Sequence, residues 1–306
     1  MSLQKRNSLL LVLTAFIWGV AFVAQSKGGD AVGPYSFNCI RFLIGLIVLI
    51  PVYRFLDKKN ITKNRPVTKE QKKNLWVAGI CCGLCLCIAS NLQQVGITLG
   101  TPAGKAGFLT ACYILIVPIL GLFLKKKCGW NIWLGVVLTL IGLYLLCMNG
   151  SFSLQFSDVL LILCALMFSI HIMVVDHFSP LVDGVRLSSI QFFVSGALSA
   201  VPMFFSDIGH SLDNLSVWAQ GFESAGAWIA ILYAGVLSCG VAYTLQIIGQ
   251  NGVNPTVASL LMSLESVFSV LAGFVILKEV LTGRELAGCL LIFLAVCLAQ
   301  MPVKKS

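Results

Sequence analysis

The stretch LQQVGITLGTPAGKAGFLTACYILIVPILGLFLKK, residues 92–126, recurs in outline 153 positions later as LQIIGQNGVNPTVASLLMSLESVFSVLAGFVILKE, residues 245–279. The two stretches align without gaps, and many of their identities are glycine, proline or glutamine. The matching pairs are Leu92/Leu245, Gln93/Gln246, Gly96/Gly249, Pro102/Pro255, Leu124/Leu277 and Lys125/Lys278, and Gly135/Gly288 continues the register. A shared apolar composition does not explain this spacing, so we predict two copies of one unit, residues 1–150 and 151–306.

The composition is that of a membrane protein. Of the 306 residues, 58% are hydrophobic and 11% are charged, whereas about a quarter of a soluble domain is charged. A membrane-spanning helix needs about 20 apolar residues. Ten runs of about this length occur, at 9–26, 34–53, 75–97, 102–124, 131–148, 157–177, 187–205, 227–248, 255–277 and 284–301. We therefore predict an all-α polytopic membrane protein with ten transmembrane helices.

The repeat and the helix count together constrain the topology. Each copy holds five spans, and because five is odd, the two copies must cross the membrane in opposite senses. The prediction is two five-helix inverted repeats, an arrangement typical of secondary transporters. In such proteins the substrate site lies near the middle of the membrane between the halves, and each face opens in turn.

The net charge of +9 follows the expected topology. With the amino terminus in the cytoplasm, ten spans return the carboxyl terminus there, and 16 of the 21 Lys and Arg residues face inward. This is the positive-inside bias, so we predict cytoplasmic termini. The placement of the charge argues against a nucleic-acid partner.

The twelve cysteines all lie in or beside apolar runs. The cluster CCGLCLC at 81–87 contains a CxxC pattern but has no histidine or acid near it. We interpret these cysteines as small packing residues and predict no metal and no cofactor.

The chain resembles the EamA-type carriers of the drug/metabolite transporter superfamily. The resemblance rests on Trp18 and Gly19, on Arg41 in CIRFLIG, and on SLESVFSVLAGFVILKEVLTGRELAGCLLIFLA, which is similar to the family's L-E-P-V followed by L-G-E-x-L-T. Ser266 stands where the family usually has proline, Lys278 replaces a glycine, and Lys126 stands where a glutamate is usual. The resemblance implies movement of small metabolites, often amino-acid export, across the bacterial cytoplasmic (inner) membrane by alternating access.

Glu265 is a lone carboxylate inside the ninth run. It lies ten residues past Pro255, or roughly 15 Å along a helix, which is near mid-membrane. An ionised acid there costs at least about 2.5 kcal/mol. Either Glu265 binds a substrate amine or a coupling proton, or it is a structural partner for a polar group on a neighbouring helix.

Lys105 lies one turn inside the fourth run and seven residues before Cys112, the repeat equivalent of Glu265. If the repeats superpose, Lys105 and Glu265 face one cavity and suit a zwitterion, with its carboxylate toward Lys105 and its amine toward Glu265. The alternative is that Lys105 extends to the outer membrane interface.

Other polar groups at membrane depth complete the candidate substrate-binding or coupling set. Arg41, with Asn38 on its face, either anchors a carboxylate or bonds helix carbonyls. His171 either relays protons or bonds a neighbouring helix. Trp18 and Gln25 share a stripe with Thr14 and Phe22 that suits a cavity wall. Gln93 and Gln246 are expected at opposite membrane faces as gates or helix caps, and Tyr113 is the last candidate.

The function predicted is a secondary transporter that moves small metabolites, best matched by amino acids or related zwitterions, with efflux implied by the resemblance. A multidrug or organic-cation exporter and a passive facilitator remain as alternatives. An enzyme is disfavoured, because the chain has no HExxH, G-x-S-x-G or Walker motif. The expected partners are a small-molecule substrate, protons as an optional coupling ion, and the lipid bilayer around a monomer or homodimer.

Overall fold

The computed structural model describes residues 3–60, 62, 64–101, 103–126, 129–148, 155–272, 274–275 and 282–301. Across these residues the regular structure is entirely helical. Pro102, Leu277 and Lys278, which belong to the repeat signature, lie outside the described residues.

The α-helices follow one another along the whole described chain. They are α1 (Leu3–Val32), α2 (Pro34–Lys58), α3 (Lys69–Thr98), α4 (Ala103–Ala111), α5 (Tyr113–Phe123), α6 (Trp130–Cys147), α7 (Phe156–Phe178), α8 (Gly184–Pro202), α9 (Leu215–Gln220), α10 (Ala225–Leu232), α11 (Thr244–Gln250), α12 (Pro255–Met262), α13 (Leu264–Ala272) and α14 (Gly283–Ala299). Two π-helical segments, Met203–Asp207 and Tyr233–Tyr243, continue α8 and join α10 to α11.

Eight helical segments of the described chain are long and apolar enough to cross a membrane. They are Leu3–Phe22, Pro34–Lys58, Lys69–Thr98, Lys105–Phe123, Phe156–Phe178, Gly184–Asp207, Ala225–Gln250 and Pro255–Ala272, and Trp130–Leu146 is a shorter apolar helix. The protein is therefore a multi-pass helical membrane protein.

Some helices extend well beyond the predicted apolar runs. The third run is expected at 75–97, but α3 begins at Lys69, because Thr68 caps it. The Thr68 hydroxyl accepts from the Gln71 backbone N–H, and the Gln71 side chain accepts from the Thr68 N–H. This capping box holds a polar first turn outside the apolar stretch.

The two halves pack through equivalent helices: α2 lies along α8, and α6 lies along α14. The pairing of α3 with α7 has its counterpart in the pairing of α1 with α11 and the π segment before it. The glycines are placed in the same way. Gly96 lies against Leu161 and the Ser157 carbonyl, and its repeat partner Gly249 lies against Leu11 and the Asn7 carbonyl. Equivalent helices and glycines therefore have equivalent neighbours in the two halves.

Two predicted spans are interrupted rather than continuous. The fourth breaks between α4 and α5 at Cys112, and the ninth breaks between α12 and α13 at Ser263. At each break the side chain donates to a carbonyl of the preceding turn, Cys112 Sγ to Phe108 O and Ser263 Oγ to Leu260 O. Such side-chain bonds compete with the helical ladder and bend helices. The second half of each span therefore begins near the middle of that span, at Tyr113 and at Leu264.

Candidate functional site

A cavity lies where the interrupted helices meet α1, α2, α3, α7 and the eighth predicted span. Its lining residues are Trp18, Phe22, Gln25, Arg41, Gln93, Thr110, Tyr113, Phe168, Ile172, Ser238, Tyr243, Gln246, Met262 and Glu265. The centre of a water molecule can occupy about 40 Å³ of it, which is room for roughly three waters.

Glu265 lies in the first turn of α13 and is 6% exposed. Tyr113, in the first turn of α5, donates its hydroxyl to Glu265 Oε1 at 3.1 Å. The two helix breaks therefore bring together two candidates that are 152 residues apart.

Arg41 supplies the opposite charge. It is 2% exposed, and its guanidinium carbon lies 5.0 Å from the ring centroid of Phe42 and 5.5 Å from that of Phe37. Within the described residues no carboxylate forms an ion pair with it. The cavity lining thus contains one carboxylate, Glu265, and one guanidinium, Arg41.

Several polar atoms of the cavity lining have no hydrogen-bond partner in the described part of the chain. They are Trp18 Nε1, Gln25 Oε1, Arg41 Nε and Gln246 Oε1. A buried polar atom left unpaired costs about 1–3 kcal/mol. Their convergence on one cavity fits a site whose polar groups are completed by water or a polar ligand.

Gln93 and Gln246 lie elsewhere than expected. Neither ends a helix at a membrane face, because α3 continues to Thr98 and α11 continues to Gln250. Both line the cavity, and Gln93 donates to Thr110 Oγ1 at 3.3 Å. One glutamine from each half of the chain therefore lines the same cavity.

Lys105 is not part of the cavity lining. Its Nζ lies 2.5 Å from Asp158 Oδ2, and the Asp158 side chain is fully buried in the first turn of α7. Asp158 also accepts from the Gln155 backbone N–H at 2.7 Å. The expectation that Lys105 and Glu265 face one cavity is therefore wrong in this structure. Sequence reasoning missed Asp158, although a carboxylate beside the start of the sixth apolar run was a visible signal.

Asn38 and His171 join helices behind the cavity. Asn38 donates to Ser90 O at 2.9 Å and to Asn91 Oδ1 at 2.8 Å, which links α2 to α3. His171 Nε2 lies 3.1 Å from Gln191 Oε1, which links α7 to α8. The edge of the His171 ring packs against the cavity residue Tyr243, with centroids 6.2 Å apart.

The aromatic wall of the cavity includes residues that sequence reasoning missed. Tyr243 packs against Trp18 with ring centroids 4.7 Å apart. Ser238 and Tyr243 both lie in the π-helical segment Tyr233–Tyr243. A π turn shifts the face that a residue presents, so spacing at an α-helical period does not point to these two residues.

Comparisons with known proteins agree with this architecture. The family model described as the EamA-like transporter family matches the chain twice, over residues 6–148 and 155–301. A protein of Archaeoglobus fulgidus named "Uncharacterized transporter" is 28% identical over 294 residues, which cover 96% of this chain and 85% of the relative. The "Uncharacterized transporter YoaV" of Bacillus subtilis is 22% identical over 289 residues, covering 92% of each.

A solved structure shares the fold. It has a TM-score of 0.75 and 19% sequence identity, and the match covers 97% of this chain and 96% of the other.

Proposed function

Because the chain belongs to the EamA-like transporter family of the drug/metabolite transporter superfamily, we propose that it is a secondary transporter of small zwitterions such as amino acids. The observation that carries this proposal is the cavity lined by Glu265 and Arg41, with unpaired polar atoms between aromatic walls. The resemblance to amino-acid exporters favours efflux.

The two charges define the orientation of the ligand. The carboxylate of an amino acid accepts hydrogen bonds from Arg41 and from Trp18 Nε1–H, and its ammonium donates to Glu265 and to Gln246 Oε1. Charge-assisted bonds of this kind are about twice as strong as neutral ones. A neutral zwitterion leaves neither protein charge unbalanced, whereas an anionic phosphate ester would be repelled by Glu265.

An organic cation is the second candidate ligand. Trp18, Phe22, Phe168 and Tyr243 line the same cavity, and aromatic faces attract cations. A cation paired with Glu265 leaves Arg41 without a counter-charge, which is why the zwitterion is preferred. The passive facilitator is less well supported, since room for roughly three waters requires helix movement to admit a metabolite.

The transport cycle proposed is alternating access between two five-helix inverted repeats, residues 1–150 and 151–306. In this scheme α6 and α14 are the fifth and tenth membrane helices. The 17 residues of α14 extend about 25 Å, slightly less than a typical hydrocarbon core. The placement of basic residues supports cytoplasmic termini in a bacterial inner membrane.

The test begins with thermal unfolding of the purified protein against amino acids, phosphate esters and lipophilic cations. A ligand at 100 times its Kd adds about 2.7 kcal/mol of stability. We expect stabilisation by amino acids, and saturable counterflow of the best amino acid in proteoliposomes. Glu265→Gln and Arg41→Gln should each weaken binding roughly 10- to 100-fold, because each loses a charged hydrogen bond.

Glu223→Gln is the matched control, because Glu223 is an exposed carboxylate outside the cavity lining. Its binding and counterflow should equal those of the parent. If lipophilic cations stabilise the protein and amino acids do not, the proposed substrate class becomes organic cations instead of zwitterions. Flux without saturation or counterflow would point to a facilitator.

A further inference from the structure

A groove on the outer surface of the helix bundle lies apart from the central cavity. Its floor is α8 and its walls are α2 and α3, and it is lined by Leu46, Ile50, Tyr53, Leu75, Trp76, Arg186, Ser189, Ile190 and Phe193. The centre of a water molecule can occupy about 340 Å³ of it, several times the space in the central cavity. We call it the α2–α3–α8 groove.

Most of the groove is apolar and open to the hydrocarbon of the bilayer. Trp76 is 52% exposed and Phe193 is 51% exposed. Lipid surrounds a membrane-spanning helix within the hydrocarbon region, so a hydrocarbon chain is the expected occupant of the apolar part of the groove.

One end of the groove is polar and lies at the membrane face that carries the basic segment 54–73. This segment contains eight Lys and Arg residues and two carboxylates, Asp57 and Glu70. At the same end, the Arg186 guanidinium carbon lies 5.2 Å from the Tyr53 ring centroid. Aromatic and basic residues together are typical of the headgroup level.

Helical spacing places two further cations beside the groove mouth. Arg54 follows the groove residue Ile50 by one turn on α2, and Lys72 precedes Trp76 by one turn on α3. Both side chains are exposed, and in the part of the chain that the structure describes neither forms an ion pair with a carboxylate.

Arg186, the charged residue in the groove lining, is already paired. Arg186 contacts the carboxylates of Asp57 and Asp183, at 3.4 Å for Asp183, and Arg65 lies 3.8 Å from Asp57. Arg54 and Lys72 thus lie within one helical turn of the groove lining and, among the described residues, form no ion pair.

We propose that the α2–α3–α8 groove binds an anionic phospholipid. One acyl chain lies along Leu46, Ile190 and Phe193, and the phosphate group binds Arg54 and Lys72. Charge complementarity selects the anionic headgroup, and the apolar length of the groove selects a lipid over a soluble phosphate. Because α2 carries both Arg54 and the cavity residue Arg41, the lipid binds an element of the transport site.

The experiment uses Trp76 as a probe inside the groove. The full chain is reconstituted in bilayers containing dibrominated phosphatidylglycerol or dibrominated phosphatidylcholine at equal mole fraction. Bromine quenches nearby tryptophan fluorescence, and the Trp76 contribution is the difference between the parent and Trp76→Phe. We expect phosphatidylglycerol to be preferred roughly 5- to 30-fold at Trp76, the range from one cation's to two cations' interaction with an anionic surface.

The variant Arg54→Gln/Lys72→Gln should reduce this preference to about one, while Lys59→Gln/Lys125→Gln should keep it. The control pair removes the same charge from exposed positions at the same membrane face outside the groove. Trp228, 41% exposed at the opposite face, should show no preference.

Equal quenching of Trp76 by both lipids would overturn the proposal. The proposal would also be overturned if the two charge variants lost the phosphatidylglycerol preference equally. That outcome would mean that anionic lipid is attracted to the whole basic membrane face and not to the groove. A decrease of quenching by both lipids as the protein-to-lipid ratio rises would assign the groove to a second copy of the chain. Binding of inorganic phosphate without lipid, with loss of the lipid preference, would assign the cations to a soluble anion.

Discussion

Lys105 and Asp158 form an ion pair outside the lining of the central cavity. The Asp158 side chain is fully buried and that of Lys105 is 15% exposed, so the Lys105 ammonium compensates a buried carboxylate. Near the opposite end of the fourth predicted span, Lys126 pairs with Asp176 of α7. This predicted span is therefore tied to α7 by an ion pair near each end.

Removing one partner of the pair should cost more than removing both. We expect Lys105→Met to destabilise the protein by about 3–5 kcal/mol, because it leaves Asp158 buried without a counter-charge. Lys105→Met/Asp158→Asn should recover most of this loss, since Asn keeps an acceptor for the Gln155 N–H. Thermal unfolding in detergent measures both, and amino-acid binding by the double variant should be unchanged.

A double variant as unstable as Lys105→Met would show that the pair contributes net stability. If the double variant is stable but no longer binds amino acids, Lys105 contributes to the proposed substrate site.

A lone charge inside an apolar run is visible in the sequence, and for this reason Glu265 and Arg41 could be selected as candidates. Their partners are not visible in the same way. Tyr113 meets Glu265 across 152 residues, and Lys105 meets Asp158 across 53. Such contacts depend on how helices pack, and helical period within one run does not contain that information.

At the scale of the elements, the apolar runs predicted helical structure, but eight described segments rather than ten are long and apolar enough to cross a membrane, and the interruptions were not predicted. A run of about 20 apolar residues must satisfy its backbone inside the membrane, so helix is the expected structure. Cys112 and Ser263 are ordinary residues in membrane helices, and whether their side chains bond a preceding carbonyl depends on local packing. The breaks and the π segment Tyr233–Tyr243 were therefore not predictable from the pattern.

The contact between α6 and α14 depends on glycine. A Cβ atom on Gly288 would lie 2.6 Å from the Gly142 carbonyl oxygen and 2.9 Å from the Leu146 backbone nitrogen. Both atoms belong to the backbone of α6, so the helices themselves must move apart to admit a methyl group.

We expect Gly288→Ala to destabilise the protein by about 1–3 kcal/mol, the usual effect of overpacking. Gly107→Ala is the matched control, because Gly107 lies inside α4 with nothing within 4 Å of its added Cβ. This change should be neutral or stabilising by up to about 1 kcal/mol, since alanine favours helix. Thermal unfolding of both variants measures the difference in stability. Equal stabilities would show that the close packing of α6 against α14 does not depend on glycine at position 288.

At the scale of the whole molecule, the two halves are tied together at both membrane faces by related contacts. Near the end of α2, Asp57 pairs with Arg186 in the first turn of α8. At the end of the π segment that continues α8, Asp207 accepts from the Ser36 N–H at 2.6 Å and from its hydroxyl at 2.8 Å. Asp57 and Asp207 are 150 residues apart, and so are Ser36 and Arg186.

Each contact joins the end of one helix of the α2–α8 pair to the start of the other, so similar contacts occur at the two ends of this pair. With both contacts formed, the central cavity has room for only about three waters. In an alternating-access cycle the two contacts should open one at a time, and breaking one should stabilise the other.

We therefore expect Arg186→Ala and Asp207→Ala to shift the molecule in opposite directions. Hydrogen exchange should rise at the face whose contact is removed and fall at the opposite face, because opening one side closes the other. Peptides covering 54–58 and 179–187 report the first face, and peptides covering 31–37 and 204–218 report the second. Arg65→Ala is the control, since its exposed guanidinium lies 3.8 Å from Asp57 and should contribute little. If hydrogen exchange instead rises only beside each substitution, with no response at the other face, the two contacts are independent of each other. This support for alternating access would then be lost.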